Sequence, residues 1–79
     1  MTQENEQKLA EVFRAVLSLS PGSDVTGVAQ LNTPAWDSLA HTSLIAAVES
    51  EFGISIDIAD SLALTSFRAV RLYLEERGE

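Results

Sequence analysis

The 79-residue sequence contains no cysteine, so neither a disulfide framework nor a thiolate metal site is available to brace it. A single histidine weakens any imidazole-based metal centre as well. Basic residues are scarce: five Lys and Arg stand against twelve Asp and Glu, for a net charge of −7. That balance argues against sequence-independent nucleic-acid binding, because phosphates need cationic partners. The longest aliphatic run, Leu44 to Val48, is far too short to span a bilayer, so no membrane association is expected. The opening stretch from Met1 to Glu6 lacks the positive and apolar regions of a secretory signal, and a cytoplasmic location is expected.

What is present fits one small domain over residues 1–79, with 46% hydrophobic residues. A chain of this size buries only about 60% of the surface its unfolded form exposes, so its core must be economical. Between about Gln3 and Leu19, the residues Leu9, Val12, Phe13, Val16 and Leu17 recur at the spacing of one helical face. Glu4, Glu6, Lys8, Glu11 and Arg14 are left for solvent, and Ser20-Pro21-Gly22 is expected to stop the helix. The segment from Ser20 to Ala35 is rich in turn residues. Structureless loops of that length are uncommon in compact domains, so Val25, Val28 and Leu31 are expected to pin it, with a short helical turn.

A second helix is predicted over Ser38–Phe52, with Asp37 as its N-cap and Gly53 as its C-terminal stop. Ile54, Ile56 and Ile58 alternate with polar residues as a strand would, but a lone strand has no partner here. An extended stretch leading into one helical turn, about Ile58 to Leu62, fits better. A last helix begins after Thr65 or Ser66, with Phe67, Val70, Tyr73 and Leu74 facing inward. The expected fold is all-α: a bundle of three main helices plus one short helix, with a long loop between the first two.

Trp36-Asp37-Ser38-Leu39 carries the clearest chemistry. It sets a hydroxyl in the first turn of a helix, directly after a carboxylate. The first backbone N–H groups of a helix lack partners, and the helix dipole there favours negative charge. A phosphate esterified to Ser38 therefore sits in a favourable field. Asp37 is placed to share Mg²⁺ with phosphate oxygens, since that ion prefers one or two carboxylates plus phosphates. The plainer roles are an N-terminal helix hydroxyl for Ser38 and an N-cap for Asp37. Trp36 reads as a loop anchor, because an indole buries a large area. His41 lies one turn after Ser38 on the same helix face and reads as solvated or partner-facing. Asp37, Ser38 and His41 are the residue types of a hydrolytic triad. Three neighbours on one exposed turn, however, offer no intervening histidine, oxyanion hole or concave pocket.

Asp37-Ser38-Leu39, followed by an amphipathic helix ending Glu49-Ser-Glu51-Phe52-Gly53-Ile54, resembles the acyl carrier protein family over nearly the whole chain. The resemblance implies an acyl-carrier-like bundle that catalyses nothing itself. It implies that Ser38 carries 4′-phosphopantetheine, transferred from coenzyme A by a phosphopantetheinyl transferase with Mg²⁺. The thiol of that arm holds acyl groups as thioesters. Asp37 and Leu39 would meet the transferase. A second helix with only Glu49 and Glu51 as acids departs from the fatty-acid-synthesis members. It is closer to stand-alone carriers of dedicated pathways. A peptidyl carrier, or an adaptor of the same fold without a working arm, remains the alternative.

Leu44, Ala47, Val48, Ile56, Leu62, Phe67 and Val70 are candidates to line an acyl chain folded back among the helices. The charge is also localised. From Ala15 to Phe67 there is no Lys or Arg, while Asp24, Asp37, Glu49, Glu51, Asp57 and Asp60 all lie in that span. Glu49, Glu51, Asp57, Asp60 and His41 are accordingly the candidates for docking acyl-loading and acyl-processing enzymes with basic surfaces, where charge speeds encounter. No nucleic-acid partner and no bound metal are expected, and the protein is expected to be a monomer.

Overall fold

A computed structural model describes residues 1–79. The first helix, α1, runs Gln3–Val16. It starts where the Thr2 hydroxyl accepts the Asn5 N–H at 3.1 Å, satisfying one of the unpaired donors of the first turn. Its end comes earlier than the apolar spacing predicts. Leu17 leaves the helical conformation, Ser18 adopts φ 54°, and the Leu19 N–H reaches back to the Arg14 carbonyl at 2.9 Å. This is the six-residue closing turn common at helix ends, here with serine in the left-handed position usually held by glycine. Leu17 remains fully buried even though it is no longer helical. The stop is thus made by chain reversal at Ser18, before Pro21 is reached.

The following loop is pinned by polar and apolar anchors. The Arg14 guanidinium donates twice to the Ser23 carbonyl, from Nε at 2.9 Å and Nη2 at 2.6 Å. Val25 is buried and Val28 half-buried. Leu31, expected as the third anchor, is fully exposed. It sits in a short 3₁₀ turn, Gln30–Asn32, while Val25 and Val28 precede that turn in non-helical backbone, so the three share no common helical face. The Asn32 side chain holds this turn, accepting from the Ala29 N–H at 3.0 Å and donating to the Gly27 carbonyl at 3.1 Å. Two backbone bonds then join the loop to the last helix: Gln30 N–H to Thr65 O and Phe67 N–H to Val28 O, both 2.9 Å. Trp36 closes the loop as a buried anchor, edge-on to Phe13 with ring centroids 5.5 Å apart.

Helix α2 spans Ser38–Phe52, the predicted range. The Asp37 carboxylate accepts the Ala40 N–H at 2.8 Å, and Gly53 takes φ 64° while the Ile54 N–H bonds the Glu49 carbonyl. Residues 54–57 form no strand. The short helix α3, Ile58–Ser61, and the final helix α4, Phe67–Glu76, complete the molecule. Ser66 caps α4, its hydroxyl accepting the Ala69 N–H at 3.0 Å.

The core is built from α1, α2 and α4. Leu9, Phe13 and Leu17 meet Leu44 and Val48 and the α4 residues Phe67, Val70 and Leu74, all essentially closed to solvent. Phe13 and Phe67 pack edge-on at 5.0 Å between centroids. Each such side chain contributes roughly 1.5–3 kcal/mol relative to remaining exposed. Helix α3 contributes no buried residue. It lies on this core rather than in it, which creates the groove described next.

Candidate functional site

Ser38 is the first residue of α2, and its side chain is exposed. Asp37, not Ser38, satisfies the Ala40 N–H, so the capping role falls to the carboxylate and leaves the hydroxyl outward. The Ser38 carbonyl accepts from the Thr42 hydroxyl at 3.2 Å, one turn on. Leu39 is also exposed, with 77% of its surface open.

Ser38 stands at one margin of an open groove of about 670 Å³ between α2 and α3. The α2 wall is formed by His41, Thr42, Ile45, Ala46 and Glu49. Counted from Ser38 these are i+3, i+4, i+7, i+8 and i+11, one continuous helical face. The other wall carries Ile56, Ile58, Ser61 and Leu62, with Gln30 and Thr65 completing the lining. Ile58 and Leu62 are 82% and 71% exposed, so the α3 wall presents apolar side chains to solvent.

Of the seven residues expected to line a chain-binding interior, only Ile56 and Leu62 reach this groove. Leu44, Val48, Phe67 and Val70 are closed into the core, and Ala47 is half-buried outside the groove. The physical reason is helical phase. Leu44, Ala47 and Val48 lie on α2 faces turned away from the Ser38 row, and Leu44 and Val48 face α1 and α4. Reading the face from Ser38 at the helical period, instead of choosing the most apolar residues, selects Thr42, Ile45, Ala46 and Glu49. Ile58 carried no such signal, because a one-turn helix has too few residues to show a period.

The acidic residues divide. Asp57, at the N-cap position of α3, is exposed and makes no side-chain capping bond. Glu49 is half-buried in the groove, and its Oε2 accepts the Ile56 N–H at 2.7 Å, tying the approach to α3 onto α2. Asp60 Oδ2 accepts from the Tyr73 hydroxyl at 3.1 Å and faces Arg77 at 3.4 Å, while Arg77 in turn bonds the Tyr73 oxygen. Glu51 is exposed but lines a separate cleft with Lys8 and Glu11 of α1, away from Ser38. Asp24 lies in the first loop, where the Thr26 N–H and hydroxyl, and the Arg14 charge beyond them, hold its carboxyl below the usual carboxylate range.

His41 departs from its expected solvated placement. Its ring is stacked near the Trp36 indole, with both nitrogens engaged inside the molecule. Nδ1 lies 3.0 Å from Trp36 Nε1, and Nε2 lies 2.9 Å from the Ser61 carbonyl oxygen. Neither nitrogen is left to serve Ser38. A histidine on the Ser38 face of α2 necessarily points into the α2–α3 groove, and there it meets a backbone carbonyl of α3.

No group of three or more His, Asp or Glu side chains is arranged to hold a metal ion, and no helix is long and apolar enough to cross a membrane. No protein-family model and no characterised protein sequence matches the chain.

Proposed function

We propose that this chain is a carrier protein of the acyl-carrier type, in which Ser38 accepts 4′-phosphopantetheine from coenzyme A and the loaded arm delivers acyl groups to partner enzymes. The observation that carries this reading is the exposed Ser38 hydroxyl, released from capping by Asp37, at the margin of an apolar-walled groove.

The residues present fit such a group. A phosphodiester on Ser38 lies at a helix N-terminus of fifteen residues, where unpaired N–H groups and the dipole favour an anion. One oxygen of Asp37 is occupied by the Ala40 N–H, and the other would be open to help hold a Mg²⁺, which would supply charge neutralisation to the phosphate. Leu39 offers an apolar contact to the transferase from the adjoining, exposed position. When bound, the arm supplies a thiol that holds acyl groups as thioesters, raising their effective concentration at each partner's active site. Ile58 and Leu62 border the groove as apolar ground for partners or cargo, and Asp57 adds an exposed charge that steers basic partner surfaces. A core closed to solvent favours the groove between α2 and α3 as the shelter for the acyl group.

Intact mass after incubation with coenzyme A, Mg²⁺ and a broad-specificity phosphopantetheinyl transferase tests this. One phosphopantetheine is expected on the wild type and none on Ser38→Ala, whose circular dichroism stays unchanged. Wild type that gains no mass with several transferases, each active on a control carrier, would leave an adaptor without an arm.

A further inference from the structure

The groove owes its shape to α3, yet α3 has no buried side chain of its own. One contact to it comes from the α2 wall, on the face that begins at Ser38: His41 Nε2 at 2.9 Å from the Ser61 carbonyl. The opposite side of the same ring meets Trp36 Nε1 at 3.0 Å. Both partners have a single role. An indole N–H only donates and a backbone carbonyl only accepts. Nδ1 must therefore be the bare, accepting nitrogen, and Nε2 must carry the proton.

We infer that His41 is a positioning residue for the groove: a neutral ring in the Nε2–H tautomer, oriented by Trp36, that holds α3 against α2 beside Ser38. Trp36 is itself fixed, buried edge-on against Phe13 of α1. The chain of contacts thus runs from the core through the indole to the imidazole and out to α3. This goes beyond the carrier reading and does not depend on it, because it concerns the groove whether or not Ser38 is ever modified.

Nitrogen-15 NMR of the imidazole, together with amide hydrogen exchange of the unmodified protein, tests the inference. At about pH 8 the ring is expected as the Nε2–H tautomer. In His41→Ala, exchange of the Leu62 and Leu64 amides, which close α3 and the turn after it, should quicken about tenfold, the effect of losing one such bond. Core amides of α1 and α4 should change less than about threefold. His41→Gln, whose amide both accepts and donates, should restore α3 protection. Should His41→Ala not fold, Trp36→Phe carries the test: it removes the indole donor together with part of a buried ring, and the Nε2–H preference is expected to weaken. An Nδ1–H ring in the wild type overturns the proposal. So does equal quickening of all helices, or a folded His41→Gln that fails to restore α3.

Discussion

The two walls of the groove are held by different forces. Helix α2 is anchored by burial: Leu44 and Val48 are closed into the core, with Ile45 and Phe52 nearly so. Helix α3 itself buries no side chain; it hangs between the buried Ile56 and Leu64 and is oriented by polar ties, from His41 to Ser61 O, from Glu49 to the Ile56 N–H, and from Tyr73 and Arg77 to Asp60. Burial is non-directional and contributes kilocalories per side chain, whereas each net hydrogen bond contributes only about 0.5–1.5 kcal/mol. The molecule thus pairs a wall anchored along its own length, bearing Ser38, with a short wall anchored only at its two flanks and oriented by a few directional contacts. Regions held in this way sit at the low end of local stability.

The sharpest way to break that comparison is to truncate one apolar side chain on each wall. Leu44→Ala removes a fully enclosed side chain and should cost about 2–5 kcal/mol in urea unfolding, through lost burial and the cavity left behind. Leu62→Ala removes a side chain that is 71% exposed and should change stability by less than about 0.5 kcal/mol. Similar losses for the two would mean that α3 is part of the cooperative core after all.

A smaller effect sharpens the account of α3. Tyr73→Phe keeps the ring on α4 and deletes only the hydroxyl that donates to Asp60. The loss should be about 1 kcal/mol and should register locally, as faster amide exchange at Leu62 and Ala63. The Asp60–Arg77 pair left behind is weak compensation, since both side chains are 43% exposed and exposed pairs contribute little. Unchanged exchange in α3 would assign its placement to His41, Glu49 and the buried flanks Ile56 and Leu64.

The same contrast explains how far the sequence could be read. Helix α2 was legible to the residue, because Asp37 and Gly53 are residue types that helix ends demand and the apolar positions between them have a period. The candidate hydroxyl was legible for the same reason. The end of α1 was not: Ser18 in a left-handed conformation has no compositional signature, and the apolar period continues through Leu17. Leu31 was misplaced because the three-residue rhythm presumed one continuous helical turn, whereas only Gln30–Asn32 is helical and the two valines lie before it. The groove itself was invisible, since its lining follows the polar-to-apolar margin of α2 and depends on where α3 comes to rest. The ties that place α3 join residues 20, 7 and 13 positions apart, and side-chain hydrogen bonds at such separations leave no trace in periodicity.

The first loop extends the comparison to a third region, where polar ties answer to acid. The Thr26 N–H and hydroxyl both bond Asp24, at 3.0 and 2.7 Å, and favour the ionised carboxylate, with Arg14 assisting from farther away. A carboxyl held below its ordinary value contributes stability that is present above the unfolded value, about 3.9 for aspartate. That contribution disappears as pH falls through the lower folded value. The Thr26 amide resonance should therefore begin to move only below about pH 4. In Asp24→Asn, whose side-chain oxygen still accepts but carries no charge, that movement should vanish. Because Asp24 is fully exposed, global stability should hardly register the substitution, and the effect should stay within the turn. Movement of the Leu44 and Val48 resonances in the same pH range would show instead that the loop and the buried wall melt as one unit. In that case the division between apolar anchoring and polar tethering would hold for α3 alone.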